Sequence, residues 1–97
     1  MFRRFVVYVI ICQRPNHIYI GFSQNYYHRI QQHQLGWGAR FTQAHGVLWS
    51  GILRRAGSVK AAKYWEALYY RRLKEAWPDL HLAGAGNTSS DCCVVRA

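Results

Sequence analysis

Two tyrosines, Tyr8 and Tyr19, lie in apolar, β-branched segments that are typical of strands. With the turn between these strands at residues 13–16, Tyr8 is opposite Gly21 and shares one face of the sheet with Tyr19 as a diagonal neighbour. A register shifted by one residue would send the two tyrosines to opposite faces. A free tyrosine has a pKa of about 10, so proton transfer here near neutral pH needs cationic surroundings or a metal ion. The alternative is a pair of half-buried packing tyrosines.

Arg29, His33 and Glu66 are further residues whose types suit chemistry. Arg29 and His33 are four positions apart in a segment with helical spacing, which places a guanidinium and an imidazole on one helix face. Glu66 lies beside the apolar stripe of a later helix, where a carboxylate faces a partner or the edge of a site. With only 4 Asp+Glu in the chain, an enzyme that clusters carboxylates around two metal ions is not expected. The alternatives are a solvated helix surface for the Arg–His pair and a surface salt bridge for Glu66.

The elements that must position these residues are predicted from apolar patterning and from turn and capping signals. In chain order they are a strand at 5–12, a turn at 13–16, a strand at 17–22, a helix capped by Ser23 or Asn25 that ends at about Gln34, an ordered loop at 36–42, a strand at 47–53, an exit turn at 54–57, and a helix from the cap Ser58 to Trp77. This β-β-α-β-α order predicts an α/β (α+β) fold with a small three-stranded, largely antiparallel sheet flanked by helices. Residues 1–82 are predicted to form one domain, and the small and polar residues of 83–97 predict a flexible tail.

Composition indicates a strongly cationic protein. The 97 residues carry 13 Lys+Arg against 4 Asp+Glu, a formal net charge of +9, and arginines greatly outnumber lysines. Arginine binds phosphate through a planar fork, so the expected partner is a polyanion, with nucleic acid the commonest and an acidic membrane or a protein the lesser options. The apolar runs are too short for a transmembrane helix. The 3 Cys, with Cys92 and Cys93 adjacent, do not suit a disulfide framework, which favours an intracellular protein of the cytoplasm, nucleoid or nucleus.

Together these residues resemble the GIY-YIG nuclease domain over residues 5–77. The matching segments are Val6-Val7-Tyr8 for the first tripeptide, Tyr19-Ile20-Gly21 for the second, Arg29 and His33 for the Arg-x-x-x-His spacing of the next helix, Gly36-x-Gly38-Ala39-Arg40-Phe41-Thr42 for the loop after it, and Glu66 for the metal-binding glutamate. Val6 and Val7 replace Gly and Ile but keep the strand character. Many members also carry a polar residue after the glutamate helix; here only Asn87 is available, and it is given no role.

The resemblance implies a DNA endonuclease that hydrolyses phosphodiester bonds and leaves a 3′-hydroxyl and a 5′-phosphate. One Mg²⁺ (or Mn²⁺) ion would be held by Glu66 and would keep most of its waters. Arg29 would stabilise the charge that develops on the scissile phosphate. The resemblance favours Tyr8 as the base for the attacking water, with Tyr19 positioning water or phosphate and His33 acting as a hydrogen-bonding partner or proton relay.

Basic side chains are expected to hold the DNA through phosphate contacts that do not read sequence. They are Arg40, Arg54, Arg55, Lys60, Lys63, Arg71, Arg72 and Lys74. Trp37 and Phe41 either stack on an exposed base or pin their loop to the core. The prediction is a small stand-alone nuclease with structural rather than sequence preference, in DNA repair, recombination or processing, with or without a targeting subunit. The alternatives are a non-catalytic DNA- or RNA-binding module, a nuclease subunit that needs a partner, and a scaffold protein.

Overall fold

Four strands and three helices make up residues 4–84, the part of the chain that the computed structural model describes. They follow the order β1 (Phe5–Ile11), β2 (His17–Ser23), α1 (Tyr26–Gln34), α2 (Arg40–His45), β3 (Trp49–Ala56), α3 (Val59–Ala76) and β4 (His81–Gly84). The predicted mixed fold, a sheet flanked by helices, is confirmed. The predicted count of three strands and the predicted order β-β-α-β-α are wrong, because α2 and β4 were not predicted.

The sheet has the strand order β3-β1-β2-β4. The central strand β1 pairs in antiparallel fashion with β2 and with β3, and β4 pairs in parallel with β2. In the β1–β2 hairpin Tyr8 is the partner of Gly21, which confirms the predicted register. The short turn places Tyr8 and Tyr19 on the two central strands, where neighbouring strands hold the backbone on either side.

Two strand predictions need correction. The fourth strand, β4, is short and pairs with β2 from His17 to Ile20, a non-local contact that leaves little pattern in its own sequence. It includes Ala83 and Gly84, the first residues of the segment assigned to a tail, whereas 85–97 lie outside the described residues together with Cys92 and Cys93. The third strand continues through the predicted exit turn to Ala56. Its second half pairs with β1 across a register shift. Because β3 is an edge strand, charged residues are tolerated there, and these residues were predicted as a turn.

The helix α2 was predicted as part of an ordered loop. It has six residues, and its N-cap Ala39 makes no side-chain capping hydrogen bond, so the usual sequence signals of a helix start are missing. Burial of Phe41 and Thr42 holds it in place instead. The other helices follow their predicted caps: the Asn25 side chain accepts from the His28 N–H, and the Ser58 side chain accepts from the Ala61 N–H.

Different helices cover the two faces of the sheet. On one face Tyr8, Tyr19 and their neighbours pack with Ile30 of α1 and Phe41 of α2. On the other face the sheet packs against α3, from which Ala62 is fully buried in the contact. Cys12 is buried, and burial raises the pKa of its thiol to about 11. Between residues 4 and 84, no helix has the length and apolar character that crossing a membrane requires.

Candidate active site

Tyr8 lies at the centre of the candidate site. Its ring centroid is 6.4 Å from that of Tyr19, and the exposed fractions of the two side chains are 0% and 4%. The predicted shared face is therefore observed. A Cβ atom at Gly21 would lie 2.7 Å from the Tyr8 hydroxyl oxygen, so only glycine fits there without displacing the phenol. The ring of Tyr26 packs edge-on against Tyr8 from α1, with 5.9 Å between the centroids.

His33 connects the Tyr8 hydroxyl to α2. The Tyr8 oxygen is 3.0 Å from Nε2 of His33, and Nδ1 of the same ring is 2.7 Å from the Thr42 hydroxyl oxygen. The Thr42 hydroxyl in turn donates to the Ala39 carbonyl at 3.2 Å. All three side chains in this chain of hydrogen bonds are buried, with exposed fractions of 1% or less. Both ring nitrogens of His33 thus have defined partners.

Arg29 is the member of the site that reaches the surface. It lies one helical turn before His33 on α1, which places the two side chains on one face as predicted. Its guanidinium donates to Oε1 of Gln32 at 3.0 Å and to the Gly38 carbonyl at 3.2 Å. Its positive charge also acts on Tyr8 and favours the ionised form of the phenol. These contacts hold a half-buried positive charge beside the Tyr8 oxygen.

The loop between α1 and α2 packs directly on the site. A Cβ atom at Gly38 would lie 2.3 Å from Nδ1 of His33, so the backbone approaches the imidazole more closely than any larger residue allows. Gly36 has φ +84, a left-handed conformation that favours glycine and turns the chain at the end of α1. The backbone N–H of Trp37 donates to the Gln32 carbonyl at 2.8 Å. The loop therefore has a fixed position relative to Arg29 and His33.

Burial sets the protonation states of the site. Burial raises the pKa of Tyr8 to about 12, although Arg29 acts in the opposite direction, and the charges of Glu66 and Tyr26 raise it further. Burial and then the charge of Arg29 lower the pKa of His33 to about 4. At neutral pH the free protein therefore holds a neutral phenol and a neutral imidazole in contact, next to one guanidinium.

A family model for the GIY-YIG catalytic domain matches residues 4–76, most of the chain, which includes every residue of this group. The chain belongs to the GIY-YIG family. The comparisons with curated proteins and with solved structures gave no match. GIY-YIG domains are nucleases that act on DNA and generally depend on a divalent metal ion.

Glu66, the predicted metal-binding glutamate, is buried. It is 1% exposed on α3, and its charge raises the pKa of Tyr8 through the electrostatic interaction between them. Within residues 4–84, no three His, Cys, Asp or Glu side chains form a group that could hold a metal ion. One carboxylate fits Mg²⁺, which keeps most of its waters and needs only one or two protein oxygens. It does not fit an ion that requires three side-chain ligands.

The predicted site residues thus come together, whereas the predicted DNA-binding cations are distributed over α2, β3 and α3. Of the predicted DNA-binding cations, the exposed ones are Arg40, Arg54, Arg55, Lys60, Lys63, Arg71 and Arg72. Arg55 pairs with Val6, two residues before Tyr8, so its side chain is on the Tyr8 face of the sheet. The guanidinium of Arg54 instead lies 3.7 Å from the ring centroid of Trp65, and Nζ of Lys74 donates to the Leu80 carbonyl at 2.9 Å.

The two aromatic residues predicted to bind DNA differ in solvent exposure. Trp37 is 76% exposed, and Phe41 is 4% exposed and belongs to the core around Tyr8. Phe41 therefore pins α2 to the core and is not available to stack on a base. Of the two, only Trp37 presents its ring to solvent.

Sequence reasoning overlooked two contributors to the site, Thr42 and Gly38. Both lie in the segment whose resemblance to the family was noted, but nothing in the local pattern links them to His33, which precedes Thr42 by nine positions. The signal that could have identified them is the run of small residues before Phe41. Gly38 and Ala39 allow the backbone to approach another element closely, and the preceding helix α1, which carries His33, is the element that Gly38 approaches.

Proposed function

We propose that this chain is a metal-dependent endonuclease that hydrolyses phosphodiester bonds in DNA and leaves a 3′-hydroxyl and a 5′-phosphate. One observation carries the proposal: the Tyr8 hydroxyl is 3.0 Å from Nε2 of His33 and is surrounded by Arg29, Tyr19 and the Glu66 charge. A protein that only binds DNA needs exposed cations and has no use for a buried phenol in contact with an imidazole and a carboxylate charge.

Tyr8 and His33 act together on the attacking water. As the Tyr8 oxygen takes a proton from water, the Tyr8 proton passes to Nε2 of His33, and the hydroxide formed attacks phosphorus. The P–O3′ bond then breaks, and O3′ takes a proton from solvent. A free tyrosinate never forms in this sequence, which suits a phenol whose pKa is about 12.

Arg29 couples phosphate binding to this proton transfer. Its positive charge is one cause of the low pKa of His33. A phosphate bound to the guanidinium offsets that charge, and the pKa of His33 then rises towards its ordinary value, which makes the imidazole a better base. The same contact stabilises the charge that develops on the phosphate in the transition state. Because the Tyr8 side chain is 0% exposed, water reaches it only after a neighbour moves, and Arg29 is the half-buried neighbour that phosphate engages.

Glu66 would hold the divalent ion, which supplies positive charge near the leaving side of the phosphate when it is bound. The test compares cleavage of end-labelled single-stranded, duplex and branched DNA with Mg²⁺, with Mn²⁺ and with EDTA. Glu66→Gln is expected to lower the cleavage rate by about 10²-fold or more. The matched control is Glu75→Gln, an exposed acid on the same helix, which is expected to keep wild-type activity.

The outcome also decides the main alternative. One outcome is salt-sensitive DNA binding that persists in EDTA and is unchanged in Glu66→Gln, with no cleavage under any metal. That outcome would contradict the nuclease proposal and favour a binding module or a subunit that needs a partner. Cleavage that requires the metal ion, is lost in Glu66→Gln and is retained in Glu75→Gln supports the nuclease proposal.

The substrate class we propose is DNA with unpaired bases, as in repair and recombination intermediates. Trp37 holds an exposed indole in the loop whose Gly38 carbonyl accepts from Arg29. An indole beside the phosphate-binding guanidinium suits stacking on an unpaired base next to the scissile phosphate. Trp37→Ala is expected to weaken binding of single-stranded or branched DNA by about 5- to 150-fold, the range for one lost base stack, with less effect on duplex.

The control for Trp37 is Trp77→Ala, because Trp77 is also exposed but lies at the end of α3. Fluorescence anisotropy with labelled oligonucleotides in EDTA measures binding without cleavage. Equal losses on duplex and single-stranded DNA, or equal losses in both variants, would contradict a base-stacking role for Trp37.

A further inference from the structure

The number of hydrogen atoms that each group can donate limits the possible directions of the hydrogen bonds around His33. The Thr42 hydroxyl oxygen is within hydrogen-bonding distance of two groups, Nδ1 of His33 at 2.7 Å and the Ala39 carbonyl at 3.2 Å. A hydroxyl has one hydrogen to donate, and a carbonyl oxygen accepts only. Both contacts are hydrogen bonds at once when the Thr42 hydroxyl donates to the Ala39 carbonyl and accepts from a proton on Nδ1 of His33.

The other end of the network fits the same assignment. The Tyr8 hydroxyl has one hydrogen to donate, and Nε2 of His33 is 3.0 Å from the Tyr8 oxygen. A neutral imidazole carries one proton, so an Nδ1–H leaves Nε2 with the free lone pair that receives the Tyr8 hydrogen.

We propose that Thr42 is a positioning residue that holds His33 in the Nδ1–H tautomer, so that Nε2 is free to take the proton from Tyr8. This inference rests on the proposed function for its catalytic consequence, but the tautomer itself is a property of the DNA-free protein. Thr42 touches neither phosphate nor water in this role and acts only through His33. In the opposite tautomer Nε2–H would donate towards Tyr8 and could not receive its proton.

The position of Thr42 suits this task because it has little freedom to move. It is 1% exposed, and its neighbour Phe41 anchors α2 in the core. The Ala39 carbonyl that orients the hydroxyl also accepts from the backbone N–H of Gln43 at 2.9 Å, so it is itself fixed by the first turn of the helix. Gly38 adds a steric limit, since its backbone lies against the imidazole ring.

The direct test is the nitrogen NMR spectrum of His33 in protein labelled with ¹⁵N-histidine, without DNA or metal, at pH 7. The pKa of His33 is about 4, so the imidazole is neutral under these conditions. His33→Gln removes one set of signals and thereby assigns them. We expect a protonated Nδ1 and an unprotonated Nε2 in wild-type protein and in Thr42→Ser, which keeps a hydroxyl. In Thr42→Val, which is close in shape but has no hydroxyl, we expect a shift towards the Nε2–H tautomer.

Activity provides the second readout. Thr42→Val is expected to lower kcat by about 10- to 100-fold, the range for partners that orient a functional histidine, with KM for DNA little changed, and Thr42→Ser is expected to retain most of the rate. A melting temperature for each variant separates a local effect from loss of folding. An Nε2–H tautomer in wild-type protein, or an unchanged tautomer in a folded Thr42→Val, would overturn the inference. Absence of cleavage in wild-type protein would overturn the proposed function and leave the NMR result intact.

Discussion

Two histidine regions of the molecule use the same side chain in opposite ways. At the candidate active site His33 is isolated from other histidines, and each ring nitrogen has a partner, Tyr8 or Thr42. In the second region, which we call the histidine cluster, the rings of His45 and His81 both contact the ring of His17. The centroid of His17 is 4.2 Å from that of His45 and 4.4 Å from that of His81.

The cluster is packed but incompletely bonded. Nδ1 of His17 lies 2.8 Å from the Pro15 carbonyl and donates to it, whereas the buried Nδ1 of His45 has no hydrogen-bond partner within residues 4–84. Stacking fixes the positions of the rings and says nothing about where their protons are. At His33 both ring nitrogens have partners, and we infer that these partners fix the position of its proton. On that inference a defined tautomer, and not burial or proximity alone, distinguishes a histidine prepared for proton transfer.

The largest difference between the two regions is expected in catalysis. Gln at position 33 keeps an acceptor and a donor but cannot take a proton, so His33→Gln is expected to lower the cleavage rate by about 10²- to 10⁴-fold. His81→Gln changes an exposed member of the cluster and is expected to leave the rate unchanged. Single-turnover cleavage of end-labelled DNA measures both. Equal rates in the two variants would remove the distinction that we draw.

His33 and His45 are also expected to differ in how strongly they make the free energy of unfolding depend on pH in the acid range. The folded-state pKa of His33 is about 4 against an ordinary 6.5, so the fold favours its neutral form. This stabilisation is fully present above pH 6.5 and is lost as the pH falls towards 4, a change of roughly 3 kcal/mol in the free energy of unfolding. Burial and then the charges of His17, Arg14 and His81 lower the pKa of His45 in the same direction.

Urea unfolding at a series of pH values measures this dependence. We expect His33→Gln to remove a larger part of the slope between pH 6.5 and 4 than His45→Phe does. A slope that disappears in His45→Phe and survives in His33→Gln would place the acid sensitivity in the cluster instead.

The smallest effect concerns the unpaired nitrogen of the cluster. Phenylalanine at position 45 keeps an aromatic ring against Phe41 and His17 and removes the buried polar atom. His45→Phe is therefore expected to raise the free energy of unfolding at neutral pH by about 1 kcal/mol, with no change in cleavage. Urea denaturation checks the value. A loss of stability of similar size would mean that Nδ1 of His45 makes a favourable hydrogen bond in solution.

Much of the candidate site was predictable because its signals are local. The hairpin turn fixes the register that brings Tyr8 and Tyr19 to one face, and helical spacing places Arg29 and His33 together. Ser58 caps the helix that carries Glu66. Each of these relations depends on residues close in sequence or on a single short turn, so patterns of two and of three to four residues carry them.

The rest depends on contacts between distant segments. The strand β4 is four residues long and forms through parallel pairing with β2, and α2 lacks a capping side chain. The bond between His33 and Thr42 depends on how the loop at 36–39 folds back onto α1. No periodicity in the sequence encodes such a contact, because it arises from close packing of glycine and alanine backbone against the imidazole.

The most direct test of the central claim is the cleavage rate of Tyr8→Phe, which removes one oxygen from the centre of the site. Tyr64→Phe is the matched control, since Tyr64 is 60% exposed on α3. We predict that Tyr8→Phe cleaves DNA about 10²- to 10⁴-fold more slowly in Mg²⁺ than wild-type protein, with DNA binding retained, and that Tyr64→Phe cleaves normally. Metal-dependent cleavage by Tyr8→Phe at the wild-type rate would contradict the role of the Tyr8 and His33 pair.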